Sequence, residues 1–380
     1  MRKAKLIRGA RQLLTLRGPS GPRRGTDLRN LGIIQDGAVL IADGLIREVG
    51  PSRRLENLAL ARGADEIDAS GRVVMPGFVD CHAHLASGDP DLSPRTIETL
   101  ALRVVEQAVR HGTTAVEAKS GLGITDAGEL KILRVYGALR ELPFTMVPTF
   151  VGATPGQNFE RVLPVLRRRK LAEFAEIQCE EGGFTPDEIC RFLTLARETG
   201  LGLKVSAGRA AAPNTIAMAV ETRAVTVDGV QDLTEHEALL LSRSATIATG
   251  IPGALFQRGI AHSAAARTLI DHGAAVALAS GYHPCDSPSQ NMQMTIALAC
   301  RTLQMTAAEA IAASTINAAH AMRREASIGS IESGKSADLL MLSVPDYREL
   351  PYHFGVNLVD SVMCRGAVLV ERSEVRWPVR

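Results

Sequence analysis

The sequence predicts an α/β protein, a TIM-type (β/α)8 barrel carrying a small β-sandwich-like domain built from both termini. Three observations predict it. The middle of the chain alternates short apolar runs with longer helical stretches, the pattern of a parallel sheet with helices outside it. The two ends are rich in strand and turn signals instead, and neither holds enough strands to form a sheet alone. At 380 residues the chain exceeds one small domain.

In chain order, Gly32 to Gly50 reads as a β-hairpin. Ile33-Ile34, Ala38-Val39-Leu40-Ile41 and Leu45-Ile46 are apolar runs punctuated by Asp36-Gly37 and Asp43-Gly44. Asp-Gly between apolar runs signals a tight turn because both residues tolerate positive φ. Candidate barrel strands follow at 73–79, 114–118, 144–150, 174–178, 203–206, 226–227, 246–249 and 275–279. Eight such strands match a closed (β/α)8 barrel. Helical patterns lie between them, for example at 94–111, 186–199 and 264–272. The basic run Arg167, Arg168, Arg169, Lys170 is expected at a helix C-terminus, where cations favour the macrodipole. The tail returns to strands at 337–342 and 361–370, with Gly334-Lys335 and Arg365-Gly366 as turns. The expected division is residues 1–70 plus 332–380 for the composite β domain and 71–331 for the barrel.

Composition narrows the function classes. Lys plus Arg number 43 against 41 Asp plus Glu, so a net charge of +2 gives no reason to invoke nucleic acid or an anionic membrane. No stretch approaches the roughly 20 uncharged residues of a membrane span. Residues 1–16 are basic, and charges interrupt them too often for a signal peptide. The expectation is a soluble, cytoplasmic protein with a small-molecule ligand, and homo-oligomer formation is left open. The hydrophobic share is 46% but aromatics only 4%, so the core must be built from Ala, Leu, Val and Ile. Six scattered cysteines without a CxxC spacing read as buried small hydrophobes rather than a disulfide framework or zinc knuckle.

The chemistry-bearing segment is Val74-Met75-Pro76-Gly77-Phe78-Val79-Asp80-Cys81-His82-Ala83-His84. It ends the first predicted barrel strand, and barrel active sites lie at such C-terminal ends. Strand alternation puts His82 and His84 on one face, a spacing suited to two metal ligands. HxH alone is a weak signal. With Pro-Gly-Phe-Val-Asp before it and a barrel pattern after it, the segment resembles the metal motif of the amidohydrolases. The resemblance narrows to imidazolonepropionases. It is carried by Leu13-Leu14-Thr15-Leu16-Arg17-Gly18 with Pro22-Arg23-Arg24-Gly25, by Gly112-Thr113-Thr114, Glu117 and Lys119-Ser120-Gly121 with Gly123, and by Ser287-Pro288 with Asn291. Thr315-Ile316-Asn317-Ala318-Ala319, Gly334-Lys335-Ser336-Ala337-Asp338-Leu339 and Pro351-Tyr352-His353-Phe354-Gly355-Val356-Asn357 extend it through the tail. The resemblance implies hydrolysis of the cyclic-amide C–N bond of 4-imidazolone-5-propanoate in histidine breakdown. It also implies one divalent ion, zinc or iron, on the two HxH histidines, a third histidine and an aspartate.

Against that pattern the chain departs at several positions. The family's Lys-x-His-Ala-Asp-Glu/Gln stretch reads Lys204-Val205-Ser206-Ala207-Gly208-Arg209, so Ser206 stands for the third histidine and Arg209 for a substrate-contacting group. Ala-Asp-His matches Val227-Asp228-Gly229, which removes the proton-shuttle side chain. The metal-ligating aspartate of Ala-Thr-Asp becomes Gly281 in Ala279-Ser280-Gly281. Gly-Ala-His becomes Gly152-Ala153-Thr154, and Lys-Ser-Gly-Tyr ends in Leu122. The arginine-bearing segment after HxH is shortened, running past Asp89 and Asp91 into a helix near Pro94. The expected metal set is therefore incomplete, His82 and His84, with His283 as the substitute imidazole because it lies two residues after Gly281. Cys81, Glu117, Glu180 and Asp286 are further donors. The expected pocket holds Glu117, Lys119, Ser120, Glu180, Ser206, Arg209 and His283, with Glu117 and Lys119 as an internal ion pair and at least one of Glu180 and Glu181 solvated. No catalytic residue is assigned. Two function classes follow: a cyclic-amide hydrolase, or a non-catalytic binding or partner subunit descended from one. The missing ligands predict that the family reaction is absent or feeble.

Overall fold

The computed structural model describes residues 3–86, 91–122, 125–207, 211–284 and 286–376. Asp89, Gly123, Arg209 and Cys285, singled out by sequence, lie outside the described residues.

Eight parallel strands form the barrel: β1 (Phe78–Ala83), β2 (Thr113–Lys119), β3 (Thr145–Gly152), β4 (Phe174–Gln178), β5 (Gly202–Ser206), β6 (Thr226–Asp228), β7 (Ile247–Gly250) and β8 (Val276–Leu278). Helices return the chain between them, among them Pro94–Arg110, Asp126–Leu139, Phe159–Arg169, Pro186–Glu198 and Met292–Thr302. Each of these begins where the sequence offers a cap. Ser93 accepts from the Thr96 amide ahead of a proline at the first turn, and Thr185 with Glu188 forms a reciprocal capping box. Arg167–Arg169 close the helix Phe159–Arg169, with Lys170 left-handed at its end, as the basic run predicted. Between β8 and β1 the barrel is closed mainly by side chain and loop. The Asp80 carboxylate accepts from the Ser280 amide at 3.0 Å and from its hydroxyl, and the His84 amide donates to the Tyr282 carbonyl at 2.8 Å. Burial pushes the Asp80 carboxyl up to about 6, against the pull of those bonds.

Both termini build one β-rich unit. Strands Leu45–Pro51, Gly37–Ala42, Lys5–Ala10 and Asp65–Asp68 form a four-stranded sheet. A seven-stranded sheet runs Glu374–Val375, Ala367–Glu371, Val359–Cys364, Leu339–Leu342, Val73–Pro76, Gln12–Leu14 and Ile33–Ile34. Ile7, Leu13, Val39, Ile41, Val74, Leu339 and Met363 pack in a shared core drawn from both sheets.

The structure revises two expectations here. The predicted strand 73–79 is two strands: Val73–Pro76 pairs with Leu339–Leu342 in the terminal unit, and Phe78–Ala83 opens the barrel. Gly77 is the hinge, because a Cβ there would lie 2.1 Å from Thr114 Oγ1. Asp36-Gly37 is not a hairpin turn; Ile33–Ile34 pairs with Gln12–Leu14, while Gly37–Ala42 joins the other sheet. Asp43-Gly44 does make the hairpin, both residues at positive φ. Cys81, Cys179 and Cys364 are buried thiols as expected, but Cys190 is exposed.

Several motif residues prove architectural. Asn317 accepts from the Arg23 amide and donates to the carbonyls of Arg23 and Val276, fastening the amino-terminal arm to β8. Asn357 accepts from Gln293 Nε2 at 2.8 Å and donates to the Arg110 carbonyl.

A candidate active site at the barrel mouth

Five charged side chains meet inside the barrel, just below the C-terminal ends of the strands. Lys119 Nζ donates to Asp228 Oδ2 at 2.6 Å and to Glu176 Oε2, and stands 3.6 Å from Glu117 Oε1. Lys204 Nζ donates to Glu117 Oε2 and lies 4.8 Å from the centre of the Phe174 ring. Thr149 Oγ1 completes the shell of Glu117 at 2.7 Å. All five ionisable side chains are essentially out of contact with solvent. Burial works to lower the Lys119 pKa, and Asp228, Glu117 and Glu176 override it, holding the ammonium well above the ordinary lysine range. Burial likewise works to raise Asp228, but Lys119, His82 and Lys204 hold it well below the usual carboxylate range. At Glu176 burial prevails and the carboxyl is raised.

Above this network lies a cavity of about 340 Å³, within the size of small-molecule sites. His82, His84, Gln178, Glu180, Ser206, Gln231, Arg258, His283 and Asp286 supply its polar wall, with Leu122, Val151, Ile251 and Leu255 among the apolar groups. His82 Nδ1 meets Asp228 Oδ2 at 2.8 Å, joining the wall to the network. The His84 ring centroid is 5.5 Å from those of both His82 and His283, edge to face. His84 Nδ1 is buried with no hydrogen-bond partner among the described residues. Burial first, then the neighbouring His82, His283 and Lys119, push the His84 imidazole well below its ordinary pKa, so it is neutral.

Of the residues named from sequence, His82, His84, Glu180, Ser206 and His283 line the cavity. Glu117, Lys119 and Ser120 do not; the first two belong to the network below, and Ser120 Oγ accepts from the Val151 amide to tie β2 to β3. Their expected place in the pocket is corrected because strand alternation turns Glu117 and Lys119 into the barrel interior, and Ser120, of the opposite parity, is held against the neighbouring strand. The Glu117–Lys119 ion pair is present, and Glu181 is the solvated one of the Glu180-Glu181 pair. The sequence reading missed Glu176, Gln178, Gln231, Arg258 and Ile251 as site residues. A signal existed for two network members: Glu176 and Lys204 are single charges in the middle of apolar strands, where only an internal partner allows them.

Residues 73–369 match the model of the amidohydrolase family. The imidazolonepropionase of Alkaliphilus metalliredigens is 34% identical, aligned over 97% of this chain and 99% of its own length. That of Symbiobacterium thermophilum is 36% identical over 98% of both. This chain is an imidazolonepropionase-like amidohydrolase. Solved structures agree on the fold at lower identity. A zinc-complexed atrazine chlorohydrolase of Arthrobacter aurescens superposes with a TM-score of 0.79 at 16% identity, covering 98% of this chain and 96% of its own. A zinc-bound adenosine deaminase of Xanthomonas campestris gives 0.73 at 16%, covering 98% and 94%.

The resemblance to imidazolonepropionases implies a divalent ion at the HxH pair, and the residues of this mouth do not fit one. Catalytic sites of this kind ordinarily use three or more protein ligands. Ser206 stands where the third imidazole is expected, and Gly281 offers no side chain. Nor could position 281 simply accept an aspartate, because a Cβ there would lie 2.1 Å from Ile251 Cγ2. His283 touches His84, but the three imidazoles do not converge. Among the described residues, the only three ligand-type side chains whose donor atoms lie within 4.8 Å of one another are His82, Glu176 and Asp228. The Lys119 ammonium is bonded to two of those three.

Proposed function

We propose that this chain binds a small molecule at an imidazolonepropionase-type barrel mouth and does not carry the family's metal-dependent hydrolysis at an enzymatic rate. The carrying observation is the space at position 281, which Ile251 fills, so that a Cβ there would lie 2.1 Å from its Cγ2. The cavity supports ligand binding, because His82, His84, His283, Gln178 and Ser206 line a volume of about 340 Å³ suited to a small polar ring. Without a metal-activated water, the neutral His84 can accept or donate one hydrogen bond, and Gly229 itself has no side chain to pass a proton to a leaving nitrogen.

A second reading has its own support. The contact of His283 with His84 is what a rebuilt third ligand would require, and the relatives' shared name then favours hydrolysis of the cyclic-amide C–N bond of 4-imidazolone-5-propanoate, with zinc or iron as the ion. Turnover of that compound with zinc or iron supplied, together with metal analysis of the purified protein, separates the two. The first reading expects no turnover above background and little retained metal. A kcat in the usual range of roughly 1–1000 per second would sink it. Stoichiometric metal that vanishes in His283→Ala would establish the second.

A further inference from the structure

The charged network below the mouth has the shape of a cation site whose cation is already covalently present. Three donors converge there: His82 Nδ1, a Glu176 carboxylate oxygen and an Asp228 carboxylate oxygen, all within 4.8 Å of one another. Lys119 Nζ is bonded to both acids, and it shares Asp228 Oδ2 with His82 Nδ1, at 2.6 and 2.8 Å. A second observation points the same way: Asp228 Oδ1 is buried with no partner among the described residues, so the carboxylate has coordinating capacity that the lysine does not use. One imidazole and two carboxylates form a donor set that divalent zinc, manganese or iron accepts.

We propose that His82, Glu176 and Asp228 form a latent divalent-cation site that shares only His82 with the HxH pair at the mouth and is held shut by the Lys119 ammonium. The reason is electrostatic and steric. A dication placed among these donors would lie in contact with the ammonium, in a low-dielectric interior where like charges repel strongly. The lysine is also anchored from the far side by Glu117, itself held by Lys204 and Thr149, so it cannot swing away without stranding a buried charge. While Lys119 is present, the barrel has its central positive charge without any metal. Removing it leaves uncompensated acids facing an imidazole, the condition under which a metal binds. This inference is independent of whether the mouth hydrolyses anything.

The test uses the full-length chain as wild type, Lys119→Ala, Lys204→Ala, and Lys119→Ala combined with Glu176→Gln or His84→Ala. Each is stripped with chelator and titrated with zinc or cobalt(II) alone, followed by equilibrium dialysis, cobalt absorption and thermal unfolding. The expected result is that Lys119→Ala takes up one equivalent and gains thermal stability with metal concentration. Wild type and Lys204→Ala should not bind there. Adding Glu176→Gln should weaken binding by at least roughly 10–100-fold, the loss that even an outer-shell partner brings, whereas adding His84→Ala should leave it intact. Where Lys119→Ala does not fold in chelator, it is refolded from denaturant with zinc; recovery that depends on the metal supports the proposal. Failure to bind, or failure to refold with metal, overturns it. So does wild-type metal binding that Glu176→Gln abolishes.

Discussion

Lys204 and Ser206 stand two residues apart on the same barrel strand, and Asp228 and Gly229 are adjacent. Yet the first of each pair belongs to the interior network, while the second lies at the mouth, where the resemblance to imidazolonepropionases implies another side chain. Lys119 and Leu122 repeat the contrast across three positions. The difference is one of energetic connection. An interior charge such as Lys204 cannot be replaced singly, because the partner left behind is an unpaired buried ion. A ligand or shuttle residue at a solvated rim has no such partner, and its loss leaves the fold intact. Chemistry can therefore drain from the mouth while the scaffold beneath it is held by its own charges.

The largest expected effect breaks the interior. Lys204→Met should destabilise the protein by about 3–5 kcal/mol, the range for breaking a buried ion pair at one partner. The check is equilibrium unfolding in urea; a loss below about 1 kcal/mol would mean that the interior is as replaceable as the rim.

A smaller effect is expected where rim and backbone meet. Placing at 281 the residue that the resemblance implies, with Gly281→Asp, should destabilise by about 1–3 kcal/mol, through overlap with Ile251. Combining it with Ile251→Ala should recover the overlap portion relative to Ile251→Ala alone, because Ile251 Cγ2 is the atom in the way. Thermal melts of the three variants measure the coupling. Simple additivity would show that the Ile251 side chain is not what closes position 281.

The smallest effect belongs to the rim itself. Ser206→Ala should change stability by no more than about 0.5 kcal/mol, as expected of a half-exposed site. A larger loss in the same melts would place Ser206 in the scaffold rather than among the residues free to change.

Much of this molecule was legible in the chain. Alternating apolar runs and helical stretches determined eight parallel strands, because each strand is buried on both faces and each helix on one. The motif 74–84 marked the mouth, where His82 and His84 line the cavity, and the residues at 206, 229 and 281 set the expectation of an incomplete metal set, since a metal ligand is a property of one side chain in one place. Tertiary structure alone decided the rest. Periodicity says that Glu176 and Asp228 face inward; it does not say that Lys119, 57 and 109 residues away in sequence, bonds them both. That depends on the stagger between strands, which no local pattern encodes. The same holds for Gly77, whose break of one predicted strand into two follows from the approach of Thr114, and for Gly281, whose emptiness became consequential only when the fold put Ile251 where a side chain would stand.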